Sequence, residues 1–306
     1  MTSPTVLVTG SSSGLGRTTV ETLARRGYTV FASMRGIFGR NASAAAELME
    51  LARSEGLALE VIEMDVTDTA SVERAIETII ARTGRIDVVV NNAGYGVAGI
   101  SEATSIAQMQ RLFDVNVWGV HRVNQAVLPH MRRQNSGLLV YISSTSSRSV
   151  LPALGAYSAS KAALDALARG FAHDLIDTGI DTTIIQAGGF STEFGQNTEK
   201  SADTEVWSEY GSVGEFANAF VDGFTRKMAE GAVSHPRELA DLIGDLIDTP
   251  QGNRPLNVAI GTGSEQVPAV NAALMANEEY SLRAFGLDRF LRSSRPTEQP
   301  SEVVSA

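Results

Sequence analysis

Residues Thr5 to Gly16 read TVLVTGSSSGLG, a short run of β-branched and apolar side chains passing directly into three glycines. An apolar run this short fits a strand buried on both faces, and clustered glycines mark where such a strand turns. Apolar residues then recur at helical spacing from Gly14 to Arg26, so the stretch predicts strand, tight turn, helix. Gly10 permits the turn, Gly14 lets main chain approach a ligand, and Gly16 lets the helix pack against the strand. The helix N-terminus supplies free amides and positive potential, which suits a phosphate. The spacing differs from the common Gly-x-Gly-x-x-Gly fingerprint, and its place at the first strand-to-helix turn carries the argument. The candidate pyrophosphate contacts are Gly10, Ser12, Ser13, Gly14, Leu15 and Gly16.

Outward from this turn the alternation repeats. Strands are expected at Thr5 to Thr9, Thr29 to Ala32, Ala58 to Met64, Ile86 to Asn91, Leu138 to Ser143, Asp181 to Gln186 and Leu256 to Ile260. Helical patterns lie between them at Gly14 to Arg26, Ala42 to Glu55, Ser71 to Thr83, Ile106 to Arg133, Ser158 to Asp177 and Pro236 to Asp248. Right-handed crossovers then favour a Rossmann-type, doubly wound α/β fold: one seven-stranded, mainly parallel sheet with helices on both faces. Residues 1–262 are read as one dinucleotide-binding and catalytic domain, with a substrate loop at about 188–235. A helical extension covers 263–292, and the Ser, Pro, Glu and Gln of 293–306 read as a disordered tail.

The 25 basic and 35 acidic side chains give a net charge of −10, which repels phosphate backbones and anionic lipid, so neither nucleic acid nor membrane is an expected partner. With no cysteine, disulfides and thiolate metal sites are excluded. His121, His130, His173 and His235 show no metal-ligand spacing, so no metal is assigned. No apolar stretch approaches a membrane span, and a cytoplasmic enzyme is the simplest reading.

The second strand ends in Ser33-Met34-Arg35, where an acidic residue would bond a ribose 2′-hydroxyl and repel a 2′-phosphate. Arg35 suits that phosphate, so NADP(H) is preferred over NAD(H), with a solvated surface arginine as the alternative. Asp65 and Val66, after the third strand, are placed at the adenine edge, although Asp65 equally fits the cap of a turn. Asn92, Ala93 and Gly94 follow the fourth strand, and their small side chains and amides suit the wall of a cofactor pocket.

Tyr157 and Lys161 are four residues apart, one turn on the same helix face. A cation about 5 Å away at an effective dielectric near 20 contributes roughly 3 kcal/mol, about two pKa units, moving the phenol toward working pH. The fifth strand ends in Ile142-Ser143-Ser144, placing a serine at the carboxyl edge of the sheet, where open α/β sheets bind ligands.

These motifs, TGSSSGLG from Thr9, NNAG from Asn91, DVNVWG around Asn116, ISS ending at Ser144 and YSASK from Tyr157, resemble the short-chain dehydrogenase/reductase family over Thr5 to Ile260. The resemblance implies that Ser144, thirteen residues before Tyr157, polarises the substrate oxygen and that Tyr157 exchanges the proton. It further implies that Lys161 binds the nicotinamide ribose and tunes Tyr157, and that Asn116 holds a proton-relaying water at a local helix kink. Without the family, Asn116 reads as a buried amide bonded to backbone. Where the family usually carries Pro-Gly, this chain has Ala187-Gly188, which removes a rigidifying proline; Gly188 stays with the cofactor site, and Thr192 matches the carboxamide contact. The resemblance also implies a homodimer or homotetramer packed through Ile106 to Arg133 and Ser158 to Asp177.

Phe190, Phe194, Trp207 and Tyr210, with the stripe Phe216, Phe220 and Phe224, suggest a lipophilic ketone or secondary alcohol as substrate alongside Tyr95 and Leu151. The stripe equally fits a helix packed on the core. The expected activity is NADP(H)-dependent carbonyl reduction and alcohol oxidation. A catalytically silent NADP(H) sensor of the same fold and an NAD-dependent alcohol oxidation are the alternatives.

Overall fold

The computed structural model describes residues 3–229 and 233–291. Within them, β1 (Thr5–Thr9), β2 (Thr29–Met34), β3 (Leu59–Glu63) and β4 (Val88–Asn91) are joined by α1 (Gly14–Arg25), α2 (Ala42–Glu55) and α3 (Thr69–Thr83). After a two-residue strand β5 (Val97–Ala98), a long helical rod runs as α4 (Ile106–Phe113), a π-helical stretch Asp114–Gly119 and α5 (Val120–Gln134). The second half holds β6 (Gly137–Ser144), a 3-10 turn Thr145–Ser147, α6 (Gly155–Asp174) and β7 (Ile180–Ala187). Next come β8 (Glu199–Lys200), α7 (Thr204–Glu209), α8 (Ser212–Ala229), α9 (Pro236–Asp248), β9 (Asn257–Ile260) and α10 (Val267–Ala284). The expected tail at 293–306 lies outside the described residues.

Seven strands form one parallel sheet in the order β3-β2-β1-β4-β6-β7-β9. The order reverses between β1 and β4, opening a crevice beyond their carboxyl ends. Side chains of β1 alternate between two cores, as the strand period of two requires. Val6 and Val8 pack with Val20 and Leu23 of α1, Leu48 of α2 and Ile243 of α9. Leu7 faces the opposite layer, with Ile76 of α3, Val123 and Val127 of α5 and Leu164 of α6. Truncating Leu7, which is fully buried, to Ala would cost about 2–5 kcal/mol.

Helix ends follow local chemistry. Asp68 caps α3 by accepting from Ala70 N, Ser105 and Gln108 form a capping box on α4, and Pro236 opens α9 behind a His235–Glu238 box. No helix among the described residues is long and apolar enough to cross a membrane. Residues 195–235 carry two helices and a feature the pattern did not predict, the parallel pairing of β8 with β5. Gln108 bonds Glu199 and the Lys200 carbonyl, and Asp203 N bonds Ala103 O, stitching this segment to α4 and the loop that precedes it.

Candidate active site

A cavity of about 1180 Å³ opens at the carboxyl edge of the sheet. At one end lies the glycine turn, where Gly10 and Gly14 adopt φ of 69° and 54°, a region side chains disfavour. A Cβ on Gly16 would stand 2.3 Å from Gly10 O and 2.4 Å from Asn92 Nδ2, so helix and turn touch backbone to backbone. Asn92 Nδ2 donates to Thr9 O and Gly10 O, while Thr9 Oγ1 accepts from Asn92 N and Ala93 N. These bonds make Asn92 a bracket that shapes the turn. Ser13, at the N-cap of α1, forms no side-chain cap, and the first turn has no acidic residue. Its amides therefore stay available to an anion, and the cradle fits a dinucleotide pyrophosphate.

At the end beyond β2, buried Met34 and exposed Arg35 line the cavity, joined by Arg40, which the motif reading passed over. Neither arginine is in a salt bridge among the described residues, and both hold Asp65 below the usual carboxylate range once its burial is offset by bonds from Thr67. Asp65 Oδ1 accepts from Thr67 N and Oγ1, so its carboxylate caps a turn, the alternative noted above. Val66 also lines this end, and its carbonyl accepts from Arg122. The signal for Arg40 was present in Arg35-Gly36-Ile37-Phe38-Gly39-Arg40, where a second cation follows in the same loop.

Helix α6 begins at Gly155, ahead of the expected Ser158, which places Tyr157 inside its first turn. Tyr157 and Lys161 then share a face that lines the cavity, with Lys161 Nζ 5.9 Å from the phenol ring centroid. Lys161 Nζ donates to Ile142 O at 2.8 Å. Ser144, the last residue of β6, is hydrogen-bonded to the phenol and accepts from Ser146 N at 3.1 Å. All three side chains are buried.

The expected acidification of Tyr157 by Lys161 is not what the protein alone produces. Burial pushes the phenol up to about 12, only partly opposed by the Ser144 hydrogen bond. Burial also pulls Lys161 down to about 8, against the charge of Asp165. Desolvation outweighs the pair interaction because both charged forms are enclosed. A bound oxidised nicotinamide ring would bring the positive charge that this balance lacks.

Asn116 lies fully buried in the π-helical stretch, so the predicted irregularity is a π turn. Its side chain is committed to protein: Oδ1 accepts from Tyr95 N, and Nδ2 donates to Tyr95 O and Ser160 Oγ. The amide thus fixes the loop after β4, the bonding to backbone that the reading without the family gives it. Gly94 packs between Asn116 and Lys161, where a Cβ would come within 3.1 Å of Asn116 Oδ1 and 3.6 Å of Lys161 Nζ.

The missing proline at Ala187 does not leave its loop loose. Gly188 N bonds Ile260 O, Gly189 N bonds Thr262 O, and Ser191 N bonds Ser234 O. A Cβ on Gly188 would stand 2.3 Å from Thr262 O. Thr192 faces the glycine turn across the cleft, 3.4 Å from where a Gly14 Cβ would sit. Beyond it, Phe194 packs on Tyr157 with ring centroids 5.5 Å apart, and Tyr95, Leu151, Leu154 and Phe220 extend an apolar wall. Phe220 also packs on Ala98 and Leu154, so it is both wall and core. Phe190 is buried in the core, Trp207 packs with Ile100 and Ala217, and Tyr210 and Phe216 are exposed. The side chain of Phe224 lies outside the described residues.

A glycine-turn cradle beside a Ser-Tyr-Lys group on a doubly wound sheet defines a nicotinamide-dependent oxidoreductase. Residues 4–203 match the family described as short chain dehydrogenase, and the chain belongs to it. It is similar to 3-ketodihydrosphingosine reductase of Bacteroides thetaiotaomicron, 29% identical over 92% of this chain and 97% of the relative. Bovine (Bos taurus) retinol dehydrogenase 8 is 32% identical over 79% of this chain and 77% of that protein. The alcohol dehydrogenase of Thermococcus sibiricus, solved with 5-hydroxy-NADP, superposes with a TM-score of 0.67 and is 25% identical, covering 86% of this chain and 98% of that one.

Proposed function

We propose that the protein interconverts a lipophilic ketone or aldehyde and its alcohol with NADP(H), using Tyr157 as the acid-base group. The observation that carries this reading is the meeting of Ser144, Tyr157 and Lys161 on one wall of the cavity that also holds the glycine turn. The cofactor, when bound, supplies or accepts the hydride. In reduction, Ser144 donates a hydrogen bond to the substrate oxygen as charge develops there, and Tyr157 passes its phenolic proton to that oxygen. In oxidation, Tyr157 takes the proton back. Lys161, largely charged at neutral pH with its pKa near 8, stabilises the phenolate left behind. Asn116 holds the Tyr95 backbone and so supports Gly94 beside Lys161.

Arg35 and Arg40 support the preference for NADP(H), because two cations in the loop after β2, neither in a salt bridge among the described residues, suit a 2′-phosphate. Phe194, Phe220, Tyr95 and Leu151 support a lipophilic substrate, in keeping with the sphingoid and retinoid names of the two relatives. In this reading residues 1–262 form the catalytic domain, 188–235 cover the substrate, and exposed Ile106 and Trp118 contribute to a homo-oligomer.

The test is Tyr157→Phe, assayed by NADPH oxidation against a panel of apolar ketones. Turnover should fall by about 10²–10⁴ while NADPH binding is kept. Retained turnover would reject Tyr157, and inactivity of the unmodified protein with tight NADPH binding would favour a sensor.

A further inference from the structure

Helix α6 carries a carboxylate one turn beyond Lys161. Asp165 lies on the same helix face, is 2% exposed, and accepts on Oδ2 from Ser147 Oγ at 2.8 Å, Arg148 Nη1 at 2.6 Å and Gln186 Nε2 at 3.3 Å. Arg148 Nε in turn donates to Asn271 Oδ1 at 2.8 Å, and Asn271 Nδ2 donates to Gln186 Oε1 at 3.1 Å. Arg148, Asp165, Gln186 and Asn271 therefore close a ring, each from a different part of the chain: the turn after β6, α6, β7 and α10. All four are buried. An apolar contact would dock α10 at least as well as buried charges do, so stability alone is a poor account of the ring. Its location is more informative, since Ser147 follows Ser144 by three residues, Asp165 follows Lys161 by four, and Gln186 precedes cavity-lining Ala187.

We propose that Asp165 is a positioning residue for Lys161, keeping its ammonium charged, and that Asn271 makes helix α10 part of the assembly that holds Asp165 in place. The proposal rests on the reading of Lys161 as the partner of Tyr157. Two groups on α6 face Lys161, Tyr157 and Asp165, while its contacts from β6 and the loop after β4 are the neutral Ile142 and Gly94, with the neutral Asn116 beside Gly94. Around Asp165 stand Arg148 and Arg169, whose charges oppose each other and are both drawn to the carboxylate. Glu278 of α10 pairs with Arg169 and His173 on the outer side, a second tie between α10 and the catalytic helix. Without Asp165, buried Lys161 and Arg148 would share one region with no carboxylate between them, Arg169 keeping Glu278 on its outer side, and the lysine is the group able to shed its proton.

Lys161, Lys200 and Lys227 are the chain's only lysines, so ¹³Cε-lysine labelling gives a readable NMR titration, with Lys161 assigned by Lys161→Arg. Asp165→Asn should lower the Lys161 midpoint by about one pH unit, as loss of an opposite charge one helical turn away requires. Lys200, paired with Asp222 on the surface, should stay in place. Asn271→Ala should move Lys161 less and in the same direction, and Asp165→Glu should restore it. In turnover, the alkaline limb of the kcat profile should move down by the same interval in Asp165→Asn while KM is kept. A Lys161 midpoint equal to wild type in the folded variants overturns the proposal, and if Asp165→Asn does not fold, Asn271→Ala decides by the same titration. Because the titration needs no substrate, a failure to find any reducible ketone would count against the proposed function alone.

Discussion

Lys161→Met should flatten the rise of stability with pH that burial of this lysine imposes. The ammonium has an ordinary pKa of 10.5, which the unfolded chain restores, and about 8 when folded. Below pH 8 both states are protonated, and the folded one bears the whole cost of enclosing the charge. Between pH 8 and 10.5 the folded protein loses the proton while the unfolded chain keeps it, so the unfolded state binds more protons and stability rises with pH. Summing both protonation states over this window gives about 2.5 kcal/mol between pH 7 and pH 10. At about 2.1 cal/mol/K per residue, that corresponds to roughly 4 °C in midpoint for a chain of this length. The assay is thermal or urea unfolding of wild type and Lys161→Met at matched ionic strength across that range, read as the difference between the two curves. Loss of the bond to Ile142 O costs the variant the same at every pH, and the other titrating groups cancel in the difference. A difference that is flat or falls with pH would refute the argument that this ammonium is substantially desolvated.

Arg35→Asp should weaken NADPH binding by about 10–100-fold, from exchanging attraction for repulsion at an exposed phosphate, and keep or tighten NADH, whose 2′-hydroxyl an acidic residue can bond; equal effects on both cofactors would remove Arg35 from the 2′ site. Gly16→Ala should abolish cofactor binding, measured by fluorescence titration, because its Cβ would meet Gly10 O at 2.3 Å and neither the turn nor Asn92 has room to yield. Phe194→Ala should raise KM for bulky apolar ketones more than for acetone-sized ones, by about 1–3 kcal/mol at full contact loss, and a uniform change would place the substrate elsewhere.

The sheet was legible because its inner strands are buried on both faces and sit between helices of clear period, so each apolar run ended within a few residues of its observed limit. Gly10, Gly14, Tyr157 and Lys161 were placed by a different signal: spacing sets the glycines at a strand-to-helix turn and the two side chains one turn apart on one helix face. Other features depend on distant partners. Two-residue β5 and β8 have no period to detect and exist through the Gln108 and Asp203 bonds to the facing segment. Asp65 could be given two roles from sequence; the Thr67 bonds that make it a turn cap appear only in the fold, where it also lines the cavity. The electrostatics of Tyr157 were misread because pair attraction can be taken from spacing, whereas the opposing desolvation depends on how deeply α6 is enclosed. Arg148, Gln186 and Asn271 are 123 residues apart at the widest step, and nothing local announces that they meet.

The π-helical stretch Asp114–Gly119 sets the phase of the rod in which it sits. Such a turn takes up one residue more than an α turn, so the two halves of the rod are out of step by about 100°, the rotation of a single α-helical residue. Before the break, Gln108 reaches Glu199 and Lys200; after it, Asn124 reaches Asn91 and Tyr141 in the interior. A regular helix of the same length could aim only one of these amides correctly. Removing any one residue between 114 and 119 would straighten the rod at the expense of one grip or the other, whichever side chain was deleted.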